Sequence, residues 1–178
     1  DVALKLKENA LLDKQGKKIK PVAVHHHLLL GLGKPPIWPV SKDQMKELLS
    51  ALKMSKSKPD TCVFIHDSPE EIKRKINQAF CLEGETEFNP ILDWTKYLLF
   101  RDDKCKLEIK RPEKFGGNKT YNNYASLEKD FADKKLHPMD LKNAVSDALI
   151  ELLEPARKHF EKPKMKKMLQ ELEGIIDK

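Results

Sequence analysis

The sequence predicts two units in series: a fragment of an α/β layer over residues 1–65 and a mostly α-helical domain over residues 66–178. Three observations carry that reading. Val22, Val24, Leu28, Leu29 and Leu30, broken by imidazoles and bordered by Pro21 and Gly31, have the length and flanks of a strand buried in a parallel sheet. An amphipathic helix precedes this run and another follows it, and helix, strand, helix is a piece of a layered fold too short to be a whole one. From residue 66 onward the apolar spacing becomes helical almost throughout.

Taken in order, residues 1–12 space Val2, Leu6 and Ala10 four apart, as an amphipathic helix does, and residues 13–20 are a basic loop containing Gly16. After the strand, Gly31, Gly33, Pro35, Pro36 and Pro39 enforce a loop. Ser41-Lys42-Asp43-Gln44 is a capping box, the Ser41 hydroxyl taking the Gln44 N–H and the Gln44 amide reaching back, and it starts a helix that runs to about Lys53. Ser68-Pro69-Glu70-Glu71 combines an N-cap, a proline at the first helical position and a carboxylate at the third, with Ile72, Ile76 and Phe80 on the buried face. Asn89-Pro90 starts a further helix that sets Ile91, Trp94 and Leu98 on one side. Leu107, Ile109 and then Phe115-Gly116-Gly117-Asn118 suggest a short hairpin, and Asn123 caps a helix through Phe131. Pro138 opens the longest helix, with Leu141, Val145, Leu149 and Leu152 in helical step; Lys162-Pro163 breaks it, and a last helix ends near Ile176.

Composition narrows the function classes. With 178 residues, 39% hydrophobic and 35% charged, the chain can bury a real core as a soluble globular protein. No apolar run approaches the ~20 residues needed to span a bilayer, and no membrane role is expected. The opening Asp1-Val2-Ala3 is not a secretory signal, and a start without Met suggests a piece of something longer. Cys62, Cys81 and Cys105 are odd in number and form no CxxC pair, which points to reduced thiols in the cytoplasm and to no zinc site. The net charge of +6 suits an acidic partner. Arg157, Lys158, Lys162, Lys164, Lys166 and Lys167 hold much of the excess, and both a nucleic-acid contact and a solvated helix face fit them. His25-His26-His27 invites a metal, yet strand alternation puts His26 opposite the other two, so no metal is expected there. Trp38 is read as a loop cover and Trp94 as a core anchor.

Two constellations carry chemistry. Lys53-Met54-Ser55-Lys56-Ser57 joins two ammonium groups to two hydroxyls without a bulky β-branched residue. Such a loop can close on a phosphate chain and neutralise charge on a departing pyrophosphate; taken alone, the same string is also an ordinary solvated turn. His137-Pro138-Met139-Asp140-Leu141-Lys142 stands at the head of a helix. An Asp there has a structural reason, since its carboxylate favours the positive end of the helix dipole. His137 and Phe115 also offer flat rings, and single-stranded RNA is read by stacking a splayed base on such rings while a polar group reads its edge. A carboxylate accepts N1–H and N2–H₂ of guanine, so Asp140 can specify G.

With Lys58-Pro59-Asp60 behind it, the string at 53–57 resembles the signature loop of class I aminoacyl-tRNA synthetases. Ile109-Lys110-Arg111-Pro112-Glu113-Lys114-Phe115-Gly116-Gly117-Asn118, the segment 137–142, and Ser68-Pro69-Glu70-Glu71-Ile72 through Ala79-Phe80-Cys81 are together similar to tyrosyl-tRNA synthetase of the archaeal and eukaryotic type. The similarity runs from about residue 18 to 160. It implies that Lys53, Ser55, Lys56 and Ser57 contact ATP phosphates, with Lys53 and Lys56 acting in catalysis and Lys56 foremost. It further implies that Phe115 and His137 stack on the first anticodon base, that Asp140 bonds its guanine, and that Pro138 and Met139 line the same pocket. Arg111 and Lys142 are implied as backbone-phosphate contacts. The family's His-x-Gly-His motif does not occur in the sequence, and its tyrosine-binding residues, dimer insertion and acceptor-end contacts precede this segment. The resemblance is therefore to the C-terminal portion: the last Rossmann-like elements of the catalytic domain, the loop and a helical anticodon-binding domain. The implied whole is an ATP-dependent, cytoplasmic, homodimeric tyrosine–tRNA ligase acting on tyrosine and tRNA(Tyr) with Mg²⁺, of which this segment alone is inactive. The alternative from another class is a non-catalytic tRNA-binding module lacking the activating half; the intact loop argues against it, because a pure binder needs no ATP loop.

Overall fold

The computed structural model describes residues 24–39, 51–55, 57–102 and 104–176. The elements expected at 1–12 and 13–20, and the capping box of Ser41 and Gln44, lie outside the described residues.

The described part is mostly helical, with one two-stranded sheet. Helix α1 (Pro69–Gln78) begins where Ser68 is extended and its Oγ accepts the Glu71 N–H at 3.2 Å. Ile72 and Ile76 then point fully into the core. Helix α2 (Pro90–Trp94) is started by Asn89, whose side-chain oxygen accepts from Ile91 and Leu92, and it continues as a wider π-type turn over Thr95–Leu99. At that transition the Thr95 hydroxyl donates back to the Ile91 carbonyl at 2.6 Å, a local competitor of the helical ladder.

Strands β1 (Leu107–Ile109) and β2 (Lys119–Tyr121) pair antiparallel with Leu107 opposite Tyr121 and Ile109 opposite Lys119. Leu107 and Ile109 face the core while Glu108 faces out, the two-residue alternation of a sheet covered on one side. Helix α3 (Tyr124–Ala132) is capped by Asn123, which accepts the Ser126 N–H at 2.9 Å. Helix α4 (Pro138–Phe160) is the longest at 23 residues, and α5 (Pro163–Ile176) follows a short break.

Both α1 and β1 lie along α4, and the core fills the space between them. Phe131, Leu141, Val145 and Leu127 are fully buried there, with Trp94 at 3% exposure as the anchor of α2. Trp38 sits half-buried with its ring edge on Phe80. One ion pair is buried with them: Lys75 Nζ meets Asp67 Oδ2 at 2.6 Å, and the same oxygen accepts the Phe64 N–H at 2.8 Å.

The segment before Gly31 differs from expectation. Residues 24–29 form no strand and pair with nothing described; Val24 is 82% and Leu28 58% exposed. Leu30 alone forms a bridge, antiparallel to Lys53. An apolar strand is buried by its sheet neighbours, and none lies beside this one among the described residues.

Candidate functional site

Two clefts hold the residues singled out by the sequence. The first surrounds the loop at 53–58. Its incoming stem is set by Gly31, whose N–H donates to the Leu52 carbonyl at 2.5 Å. A Cβ on Gly31 would stand 2.8 Å from that oxygen, so no other residue allows this approach. The neighbouring Leu30 is held from both sides: its N–H donates to Asp93 Oδ2 at 2.9 Å and its carbonyl accepts Trp94 Nε1–H at 2.7 Å. The outgoing stem is a 3-10 turn over Pro59–Thr61. Thr61 Oγ1 accepts the Ser55 N–H at 3.2 Å and donates to the Lys58 carbonyl at 2.6 Å, while the Lys58 N–H returns to the Ser55 carbonyl at 3.1 Å.

These bonds open a cleft of about 370 Å³ lined by Gly31, Lys34, Lys53, Ser55, Lys58 and Thr61 among others. Of the predicted residues, Lys53 and Ser55 line it, and Ser57 joins Ser55 through a hydroxyl pair at 2.9 Å. Lys56 lies outside the described residues. Lys34 and Thr61 carried no signal of their own in the sequence; the chain path across the loop brings them in. Three ammonium groups with hydroxyls make an anion receptor. No carboxylate is among its described lining residues, so the lining side chains offer a cation only neutral oxygens.

The second cleft is built by the β1–β2 hairpin and the head of α4. Gly116 and Gly117 take φ of 95° and 66°, left-handed values that glycine accepts without strain. Arg111 Nε donates to the Gly117 carbonyl at 2.8 Å, and its Nη1 to the Lys135 carbonyl at 3.0 Å. That guanidinium staples the hairpin loop to the link between α3 and α4 and so sets Phe115 near His137. His137 is the N-cap of α4, its Nδ1 accepting the Met139 N–H at 3.2 Å, which leaves the ring proton on Nε2. Asp140, in the first helical turn, is half-buried, and its carboxylate has no hydrogen-bond or ion-pair partner among the described residues.

Phe115, His137 and Asp140 thereby line one cleft of about 410 Å³ together with Arg111, Glu83, Lys134 and Lys135. Phe115 is 62% exposed, unusual for a phenyl ring with no described partner but the Lys114 ammonium, 4.9 Å from its centre. Two open flat rings, a half-buried acceptor and three cations can stack a planar group, read donors on its edge and neutralise an attached phosphate. Pro138 and Met139 stand beside this cleft in the first turn of α4 and are not among its lining residues. Lys142 lies elsewhere: it is 8% exposed, its Nζ donates to the Asn77 carbonyl at 2.9 Å, and burial pushes its pKa down. Its expected phosphate contact is therefore corrected to a packing bond between α4 and α1; Lys142 stands two residues after the cleft residue Asp140 and turns inward. Glu83, Lys134 and Lys135 escaped the sequence reading because charged loop residues carry no local mark of the cleft they will share.

In the histidine run, His26 Nδ1 lies 2.9 Å from the His27 carbonyl, and among the described residues His27 alone reaches a distant part of the chain. His27 stacks on Tyr97 at 3.7 Å between centroids, and its Nε2 meets Asp93 Oδ1 at 2.7 Å. In the basic C-terminal part, Lys158 pairs with Glu154 at 2.9 Å and Arg157 Nη2 donates to the Ile150 carbonyl at 2.5 Å. No described helix is long and apolar enough to cross a membrane.

Comparison with known proteins gives a consistent set of relatives. The model of the family "tRNA synthetases class I (W and Y)" matches residues 17–154. Tyrosine–tRNA ligase of Thermococcus kodakarensis is 55% identical over 174 residues, 97% of this chain and 46% of that protein. The Pyrococcus abyssi ligase is 56% identical over 163 residues, 91% of this chain and 43% of the relative. Among solved structures, tyrosyl-tRNA synthetase of Pyrococcus horikoshii complexed with L-tyrosine aligns with a TM-score of 0.81 at 52% identity, covering 96% of this chain and 46% of that one. The Aeropyrum pernix enzyme aligns with a TM-score of 0.69 at 37% identity. The chain spans a little under half the length of the curated relatives it matches.

Proposed function

This chain belongs to the class I tRNA synthetases of the tryptophan and tyrosine group, on the archaeal tyrosyl-tRNA synthetase side, and on that footing we propose that it forms the C-terminal portion of a tyrosine–tRNA ligase. In this reading residues 1–65 complete a Rossmann-like catalytic domain and residues 66–178 are the anticodon-binding domain. In the complete enzyme the tyrosine carboxylate attacks the α-phosphorus of ATP, and pyrophosphate leaves with the bonding electron pair. Lys53 and Lys56, with hydroxyl donors from Ser55 and Ser57, neutralise the charge that builds on the departing phosphates. Lys34 and Lys58 add positive potential at the same cleft. A Mg²⁺ ion bound with the nucleotide would add to the neutralisation of phosphate charge at this cleft. A hydroxyl at the 3′ end of tRNA(Tyr) then attacks the carbonyl carbon of the tyrosyl-adenylate, and AMP leaves as the ester forms. The complete enzyme is read as a cytoplasmic homodimer.

At the other cleft, Phe115 and His137 sandwich the first anticodon base while Asp140 accepts N1–H and N2–H₂ of guanine. Arg111 carries less of the phosphate contact than the sequence implied, since two of its nitrogens are engaged by carbonyls, and Lys135 is paired with Asp133 at 2.8 Å; Lys134 takes that part. The observation that carries this reading is the shared cleft: an aromatic from the hairpin and an imidazole and carboxylate from α4, 22 to 25 residues apart in sequence, line one open space.

The test is binding of anticodon stem-loops that differ only in the first anticodon base, followed by fluorescence anisotropy. Asp140→Ala is expected to remove about 1–3 kcal/mol of preference for guanine, the value of one edge contact. An equal loss for all four bases would reduce Asp140 to a helix-end residue.

A further inference from the structure

The turn that closes the phosphate loop is tied to α1 by a side chain for which the proposed reaction has no other use. Thr61 receives the Ser55 N–H, so the position of Pro59–Thr61 sets where the loop ends. From that turn Asp60 Oδ1 meets Arg74 Nη2 at 2.6 Å. Neither residue lines the loop cleft. The Asp60 side chain is 67% exposed, and an isolated pair at such a site contributes little. Arg74 is not isolated. Its Nε donates to Glu71 Oε2 at 2.9 Å, its Nη2 also bonds Glu71, and its Nη1 donates to Gln78 at 2.8 Å. The guanidinium is thus aligned by its own helix before it reaches the turn, and little rotamer freedom is lost in meeting Asp60. On the other side of α1, Ile72 and Ile76 are wedged into the core against α4, whose first turn carries His137 and Asp140.

We propose that Arg74 is a positioning residue which, through Asp60, fixes the phosphate-gripping loop at residues 53–58 relative to the helical body bearing the anticodon cleft. The inference rests on the ligase reading of that loop and adds to it the element that places the loop. Arg74 touches neither nucleotide nor base; it holds the turn onto which the loop is closed.

The experiment compares Arg74→Ala, Arg74→Lys, Asp60→Asn and Asp60→Glu by two measurements. Amide hydrogen exchange on the 178-residue chain reads residues 55–62, with α1 and α4 as the check that each variant folds. Pyrophosphate exchange by the complete ligase reads KM for ATP, KM for tyrosine and kcat. Arg74→Ala and Asp60→Asn are expected to speed exchange at 55–62 and to raise KM for ATP by about fivefold each, with KM for tyrosine within about twofold of wild type. Arg74→Lys and Asp60→Glu are expected to recover most of both. Unchanged exchange at 55–62 in the two disabling variants overturns the tether, and faster exchange with an unchanged KM for ATP overturns its role in placing the loop. A complete wild-type protein without pyrophosphate exchange refutes the ligase reading instead, while the amide measurement still decides on the tether.

Discussion

Replacing Asp67 by leucine strips a buried ammonium of its counter-charge. Lys75 and Asp67 lie 2.6 Å apart with side chains only 3% and 9% exposed, and the nearest other carboxylate to Lys75 is Glu71 at 4.0 Å. The face of Phe64, 4.7 Å from the ammonium, is a weak substitute for a carboxylate. One-sided removal of a buried pair costs about 3–5 kcal/mol, because the remaining charge stays desolvated. Loss of the acceptor for the half-buried Phe64 N–H adds about 1 kcal/mol. Domains of this kind are stable by only about 5–15 kcal/mol, so the variant stands near the edge of folding. Replacing both partners, Asp67→Leu with Lys75→Met, leaves no orphaned charge and is expected to regain most of the loss. Urea titration followed by helical circular dichroism measures all three proteins. A single variant within about 1 kcal/mol of wild type, or a double variant no more stable than the single, refutes this account of the pair.

Other expectations follow from the same geometry. Gly31→Ala drives a methyl against the Leu52 carbonyl at 2.8 Å and is expected to destabilise by about 1–3 kcal/mol; an unmoved urea midpoint would contradict it. His137→Asn keeps a side-chain acceptor for the start of α4 but removes the ring, so stability should hold within about 0.5 kcal/mol. The same variant should bind the anticodon stem-loop about 1–3 kcal/mol more weakly, and RNA affinity equal to wild type would exclude stacking on His137. Acid stability tests Asp130, whose carboxyl the Lys119 ammonium holds below the ordinary carboxylate range, with the Tyr121 hydroxyl as a second donor. A depressed folded pKa gives stability that is complete above the unfolded value of about 3.9 and is lost as pH falls through the folded one. Wild type should therefore lose more stability below about pH 4 than Lys119→Ala does, and parallel urea-midpoint curves for the two would rule the interaction out.

Local chemistry was readable in the sequence and long-range chemistry was not. Ser68, Asn89 and Asn123 were recognisable as helix caps because a cap bonds backbone groups two or three residues away. The helical step of Leu141, Val145 and Leu149 likewise named the buried face of α4. The pairing of Lys75 with Asp67 was not visible, since nothing in eight residues of sequence separates a buried pair from a solvated one. Nor was the widening of α2 over Thr95–Leu99, which continues the apolar spacing with a different turn. The apolar stretch between Pro21 and Gly31 reads as a buried strand, whereas its described part, residues 24–30, is exposed or half-buried, because apolar content describes the neighbours a segment is suited to rather than those beside it. The resemblance gathered Phe115, His137 and Asp140 by motif, but only coordinates turn Lys142 inward and engage Arg111 with carbonyls.

At Leu30, side chains of α2 take over the work of a neighbouring strand: Asp93 receives its amide and the buried Trp94 indole supplies its carbonyl. Holding Leu30 at both its N–H and its carbonyl fixes the direction from which the chain reaches it. His27, stacked on Tyr97 three positions earlier, is a second pin on the same ruler. Sliding this stretch by a single residue would break an indole bond, an amide–carboxylate bond and a ring stack at once. The path of this stretch is thus held by side chains of α2 and of the turn that continues it, a role that a sheet edge would ordinarily fill.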